Sequence, residues 1–143
     1  MPEFLTLVYL IYSFIGFYFL FLFILVYTKN KNEFFSFPKL TKTYSLSIVI
    51  PCYNEGESIG GVIESLLNSN YKGLKKIIVV DDCSTDNSYE VVKEYEKKYN
   101  MVLVVRTPKN TGKASSSKNY GAKFVDTELI GFVDADSYPE KDA

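Results

Sequence analysis

Lys76-Ile77-Ile78-Val79-Val80-Asp81-Asp82-Cys83-Ser84-Thr85-Asp86 is the stretch whose reading decides the fold of this chain. Its apolar run is too continuous for a strand with one face in water, and carboxylates begin where the run stops. A strand buried on both faces belongs in a parallel sheet covered by helices. Three more runs have the same character: Leu46 to Ile50, Met101 to Val105 and Leu129 to Val133. Between them, Ile59, Val62, Ile63, Leu66 and Leu67 recur at helical spacing, as do Val91, Val92, Tyr95 and Tyr99 after the turn-forming Asp86-Asn87-Ser88. Lys113 to Phe124 forms a less regular third helix, with Ala114, Ser117, Gly121 and Phe124 on one side. The alternation predicts a βαβαβαβ unit, a three-layer α/β nucleotide-binding fold with a buried, mainly parallel sheet.

The amino-terminal region is of a different kind. No charged residue occurs from Phe4 to Tyr27, and Phe, Leu, Ile, Val and Tyr dominate. As a helix, this stretch spans roughly 36 Å, enough to cross a hydrocarbon core of about 30 Å. A cleaved signal peptide would carry a basic start, a shorter apolar run and a small-residue cleavage site. This segment instead opens with Met1, Pro2 and Glu3 and ends in Val26-Tyr27-Thr28. The expected organisation is a transmembrane anchor over residues 1–28, a polar, Lys-rich juxtamembrane linker over 29–44, and the α/β domain over 45–143. Lys29, Lys31, Lys39 and Lys42 follow the apolar run, whereas only Glu3 and the amino terminus precede it. The positive-inside rule then predicts a single-pass protein of the cell membrane with its domain in the cytoplasm.

A cytoplasmic domain keeps its thiols reduced. Cys52 and Cys83 show no metal-ligand spacing and read as small apolar fillers beside a site. The chain contains no His, which removes Ser-His and Cys-His catalysis and His-ligated zinc from its visible repertoire. A formal net charge of −1 leaves no basic footprint for nucleic acid.

Open parallel sheets bind ligands outside the carboxyl ends of their strands. Pro51-Cys52-Tyr53-Asn54-Glu55 follows the first run, Asp81-Asp82-Cys83-Ser84-Thr85-Asp86 the second, and Asp134-Ala135-Asp136 the fourth. Asp81, Asp82, Asp134 and Asp136 are therefore expected to converge on one edge, where so much like charge calls for a cation. An oxygen-rich site with open positions suits Mg²⁺ or Mn²⁺, and a diphosphate would complete the shell. Tyr53 offers a face for stacking a base, and an Asp after the second strand can accept a hydrogen bond from the imide N–H of uracil. Lys113, beside Gly112, can approach phosphate or sugar. Each motif has a plainer reading: Asp-Asp-Cys-Ser-Thr-Asp as turn and helix-cap composition, Asp-x-Asp as chance, Tyr53 to Gly56 as a polar loop. Their joint occurrence at successive strand ends favours a site. No Gly-x-Gly-x-x-Gly follows the first run and no Gly-Lys-Ser/Thr is present, which disfavours dinucleotide dehydrogenases and phosphate-loop NTPases.

Taken together, Ser47 to Glu55, Ile78 to Asp86 and Phe132 to Ser137 resemble, in order and spacing, the nucleotide-binding half of family-two inverting glycosyltransferases with the A-type fold. The resemblance covers Ser45 to Ala143. It implies that Pro51, Tyr53, Glu55, Val80 and Asp82 hold base and ribose, that Lys113 and Ala135 belong to the donor site, and that Asp134 and Asp136 bind the metal, the second more directly. It implies transfer, with inversion, from a UDP-sugar such as UDP-N-acetylglucosamine or UDP-glucose to a polysaccharide or lipid-linked acceptor. The anchor, Gly112-Lys113-Ala114 and Asp134 to Pro139 are most similar to membrane polysaccharide synthases, with polyprenyl-phosphate monoglycosyltransferases as the alternative. Two departures stand out. Ala114-Ser115-Ser116-Ser117-Lys118-Asn119-Tyr120-Gly121 runs one residue longer than the family's usual segment, with Lys118 where Arg is common. The acceptor-side half and a general base do not appear before Ala143, so this chain is expected to bind donor without transferring sugar. Glu55, Asp81 and Glu140 are the fallback candidates for a base. Competing readings are a membrane-tethered nucleotide-binding module without turnover, and a haloacid-dehalogenase-like phosphatase built on Asp134 to Ser137.

Overall fold

The computed structural model describes residues 2–33 and 41–142. It divides into two compact units, Met1–Thr41 and Lys42–Ala143. Residues 34–40, which include Lys39 and much of the expected linker, lie outside the described residues.

The first unit is one helix, α1 (Pro2–Asn30). Acidic Glu3 sits in its first turn and basic Lys29 in its last, each complementing the helix dipole. Its 29 residues give a length of about 43 Å. The helix is apolar around its whole circumference with no buried residue, and it is long and apolar enough to cross a membrane.

The second unit runs β1 (Leu46–Cys52), α2 (Ile59–Leu67), β2 (Leu74–Asp81), α3 (Ser88–Lys98), β3 (Val102–Arg106), α4 (Ala114–Ala122), β4 (Leu129–Phe132). All pairings are parallel and the sheet order is β3-β2-β1-β4. Strand side chains alternate between faces. Ile48, Ile50, Cys52, Ile77 and Val79 therefore pack with Ile59, Val62, Ile63, Leu66 and Val92 of α2 and α3. Val49, Ile78 and Val80 face the other way, towards Tyr120 and Val125. Full burial of each such Ile or Val contributes about 1.5–3 kcal/mol, which holds the three layers together.

The fourth strand departs from the buried-strand expectation. Leu129, Ile130 and Phe132 are 46%, 39% and 47% exposed. β4 pairs with β1 along one edge, and among the described residues nothing pairs with its other edge. The third helix also differs. It ends at Ala122, with Ser117 and Gly121 buried but Ala114 and Phe124 exposed. Its inward face is narrow because α4 lies almost directly on the sheet. A Cβ at Gly121 would stand 2.5 Å from Val49 Cγ1 and 2.6 Å from Val80 Cγ2.

Gly121→Ala therefore tests the packing. In a helix with room, Ala is favoured over Gly by about 1 kcal/mol. At this contact the sign reverses, and denaturant unfolding should report a loss of about 1–3 kcal/mol. The thiols give a second check. Burial pushes Cys52 up to about 12, against a lowering hydrogen bond from Ser88 and with the charges of Asp81 and Asp86 adding to the rise. Cys52 should therefore stay protonated and resist alkylation at pH 8 in the folded chain. Rapid native-state labelling at Cys52, located by mass spectrometry, would contradict this packing.

Candidate functional site

The chain moves outward from β1 to β2 and β3, then returns to the opposite side of β1 as β4. The crossovers through α2 and α3 cover one face of the sheet and that through α4 the other, as a right-handed crossover demands when its direction reverses. At such a reversal the connections leave in opposite directions and a crevice opens at the carboxyl ends of the strands. A cleft of about 510 Å³ lies there. Pro51 and Cys52 line it from the end of β1, Tyr53 and Glu55 from the loop after it, Asp82 from the loop after β2, and Asn110, Gly112, Lys113, Ala114 and Ser117 from the approach to α4 and the helix itself. Asp134, Ala135 and Asp136 line it from the segment after β4.

The loops after β1, β2 and β3 each turn on one left-handed residue: Asn54 (φ 55°), Cys83 (φ 59°) and Gly112 (φ 64°). Asn tolerates this conformation, whereas it costs a residue such as Cys about 1–2 kcal/mol. Neighbouring contacts offset that strain. The Asn54 amide donates to Ser84 Oγ at 3.0 Å, and the Thr85 amide donates to Asn54 Oδ1 at 2.8 Å. Asp86 accepts from the Gly56 and Ser88 amides, each at 3.0 Å. A Cβ on Gly56 would stand 2.1 Å from Asn87 Oδ1, so a larger residue there would have to displace the Asn87 side chain.

The two adjacent carboxylates after β2 have separate fates. Asp81 closes the strand in register with Arg106 of β3, whose Nε donates to Asp81 Oδ2. The Ser84 amide donates to Oδ1 at 3.2 Å, and the Arg106 guanidinium lies 4.3 Å from the centroid of the Tyr89 ring. Asp81 is fully buried and does not line the cleft. Of the four carboxylates expected to converge, Asp82, Asp134 and Asp136 line the cleft without gathering at one point, and Asp81, paired with Arg106 away from the cleft, is removed from the candidates for a base. Asp82 points to the cleft side. It accepts from Thr107 Oγ1 at 2.8 Å, Thr111 Oγ1 at 2.9 Å and the Thr111 amide at 3.0 Å. Burial alone would raise its pKa, but these bonds together with the Gly112 amide outweigh burial and hold the carboxyl below its ordinary range. Asp82 is therefore ionised at neutral pH.

On the opposite wall Asp134 pairs with Lys118 Nζ at 3.0 Å, and exposed Asp136 takes a 3.4 Å contact from Ser137 Oγ. No group of three or more His, Cys, Asp or Glu side chains gathers at one point among the described residues. Two carboxylates on an open wall fit a hard divalent ion that completes its shell with water and phosphate oxygens, the usual habit of Mg²⁺.

Of the residues named from sequence, Pro51, Tyr53, Glu55, Asp82, Lys113, Asp134, Ala135 and Asp136 meet at the cleft. Val80 does not; its side chain is fully buried beneath Gly121. Thr107, Asn110 and Thr111 join the site only through the structure, and Ser117, expected on one side of the third helix, lines the cleft as well. Asn110 and Thr111 stand directly before Gly112-Lys113, and a polar cluster between strand and helix was the available signal. The Ser117 hydroxyl is buried without a hydrogen-bond partner among the described residues.

The profile of Glycosyl transferase family 2 matches residues 47–143. The poly(ribitol-phosphate) beta-glucosyltransferase of Bacillus spizizenii is 40% identical over 94 residues, which cover 65% of this chain and 15% of that protein. The crystal structure of Staphylococcus aureus TarS 1-349 in complex with UDP superposes with a TM-score of 0.63 at 30% identity, covering 68% of this chain and 29% of that one. The mannosyltransferase PcManGT from Pyrobaculum calidifontis, solved with GDP-Man and Mn²⁺, reaches a TM-score of 0.67 at 21% identity over 82% of this chain and 36% of its own, a likeness of fold. This chain thus spans between about a seventh and a third of the length of these relatives. With the parallel sheet, the switch-point cleft and a profile match over most of its length, the chain belongs to glycosyltransferase family 2 and has the A-type fold.

Proposed function

We propose that residues 45–143 form the donor-binding part of an inverting glycosyltransferase that takes a UDP-sugar. The carrying observation is the meeting of Tyr53, Asp82, Lys113, Asp134 and Asp136 around one cleft of about 510 Å³. Tyr53 is 48% exposed and offers an apolar face for the base. Ionised Asp82 accepts the imide N–H of uracil, a donor that cytosine lacks at this position. Lys113 balances phosphate charge from the α4 side. Asp134 and Asp136 would hold Mg²⁺ or Mn²⁺ on the far wall, where the ion would stabilise charge on the departing diphosphate. Lys118 neutralises Asp134 in the absence of other charge and is free to turn to the diphosphate once a cation takes its place.

The proposal extends to location and partners. α1 is a single-pass membrane anchor, residues 29–44 link it to the domain, and Lys29, Lys31 and Lys42 favour a cytoplasmic domain. The acceptor is a polysaccharide or a lipid-linked chain, in keeping with a catalytic domain tethered to the membrane, and the base for its hydroxyl comes from the acceptor side.

Two measurements test these readings. Titration calorimetry on the full chain in detergent should show UDP binding strengthened by Mg²⁺ or Mn²⁺. Asp136→Asn removes one of two ligand charges and should erase most of that gain, about tenfold or more in affinity. Equal UDP affinity with and without the ion would remove the metal assignment. For location, membranes from expressing cells should retain the chain through alkaline extraction, and release into the supernatant would count against the anchor.

A further inference from the structure

We infer that Thr111 is a positioning residue of the donor site, acting through Asp82. The inference rests on the donor-site reading above and adds a specific way in which the base end and the phosphate end of that site are joined.

Asp82 is 5% exposed, yet it stands on the cleft. Its two oxygens have room for about four donors. Three are taken by groups from the β3–α4 connection: the Thr107 hydroxyl at 2.8 Å, the Thr111 amide at 3.0 Å and the Thr111 hydroxyl at 2.9 Å. The Thr111 amide reaches both oxygens, at 3.1 Å and 3.0 Å, so this one connection takes most of the carboxylate's acceptor capacity. The Thr111 hydroxyl also lies 3.5 Å from the Lys113 amide, from which it can accept. The next residue, Gly112, turns at φ 64°, and its amide donates to Asn110 Oδ1 at 2.7 Å. Asp82 thus fixes Thr111 by both its backbone and its side chain. Thr111 in turn fixes the turn that delivers Lys113 to the opening of α4.

A carboxylate with three donors from one loop is more than a helix cap requires. Threonine at position 111 has two roles that a β-branched apolar residue cannot fill, since valine keeps the shape and the amide but supplies no hydroxyl. The consequence is directional. Loss of the hydroxyl frees the Gly112-Lys113 turn, which faces the phosphates, and leaves an acceptor on Asp82 for the base. Thr111→Val should therefore weaken UDP while sparing uridine.

The test uses the full chain in detergent, with UDP and uridine titrated against wild type, Thr111→Val and Thr111→Ser. Thr111→Val is expected to bind UDP about tenfold more weakly, the scale of one hydrogen bond to a charged acceptor, with uridine within about twofold of wild type. Thr111→Ser, which keeps the hydroxyl, is expected to restore UDP binding. Unchanged UDP affinity in Thr111→Val, equal losses for both ligands, or no rescue by serine would each overturn the inference. Hydrogen exchange at the Thr111 amide without ligand reads the latch directly: strong protection is expected, and exchange at an unstructured rate overturns it. If wild type fails to bind UDP, the donor-site reading falls, and the exchange measurement then decides the latch alone.

Discussion

β1 is hydrogen-bonded along both edges, to β2 on one side and β4 on the other, and the rest of the α/β unit follows from that position. Because the chain leaves β1 in one direction and comes back to its other side, the helices divide between the faces and the crevice must open at the end of β1. Close packing makes the arrangement definite. Val49, Ile50, Ile77, Ile78, Val79 and Val80 are fully buried, and Gly121 brings α4 down onto Val49 and Val80. A sheet held this rigidly is a suitable support for loops that carry strained residues.

The loops are bound chiefly to one another. Asn54, Ser84, Thr85, Asp86 and Ser88 join the first two, and Asp82 joins the second to the third. Several of these bonds lie at the surface, and those at Ser88 and Asp82 are the more buried ones, where a lost partner costs about 1–3 kcal/mol. Negative charge is managed in the same way. Asp81 pairs with Arg106, Asp82 accepts from neutral donors and Asp134 pairs with Lys118, so three of the four carboxylates have partners within the protein. The sequence shows the charges but not these partners, which are distant along the chain.

Much of the architecture was readable from pattern. Continuous runs of Ile and Val become strands β1 and β2, the spacing of Ile59, Val62, Ile63 and Leu66 becomes α2, and the uncharged amino-terminal run becomes α1. The tips after the strands were also visible, and of the ten donor, metal and carboxylate positions singled out, eight line one cleft. The exceptions are Val80, which belongs to the core, and Asp81, which is buried against Arg106. The exposure of β4 was not readable, since Leu129 to Phe132 has the same composition as the buried strands. Nor was the role of Thr111, because a threonine before glycine is unremarkable until its partner is known.

The boundary between the two kinds of knowledge falls at Asp81 and Asp82. Local periodicity and burial preference are properties of a few consecutive residues, so the chain's composition was enough to establish helices, strands, their alternation and a polar strand end. Asp81 ends β2 and Asp82 opens the loop that follows; one turns from the cleft and the other lines it. Which one turned depended on the register that sets Arg106 of β3 beside Asp81, and on the loop that brings Thr107 and Thr111 to Asp82. Those partners lie some 25 residues or more along the chain. Strand order and register, which no local pattern encodes, selected between two identical side chains.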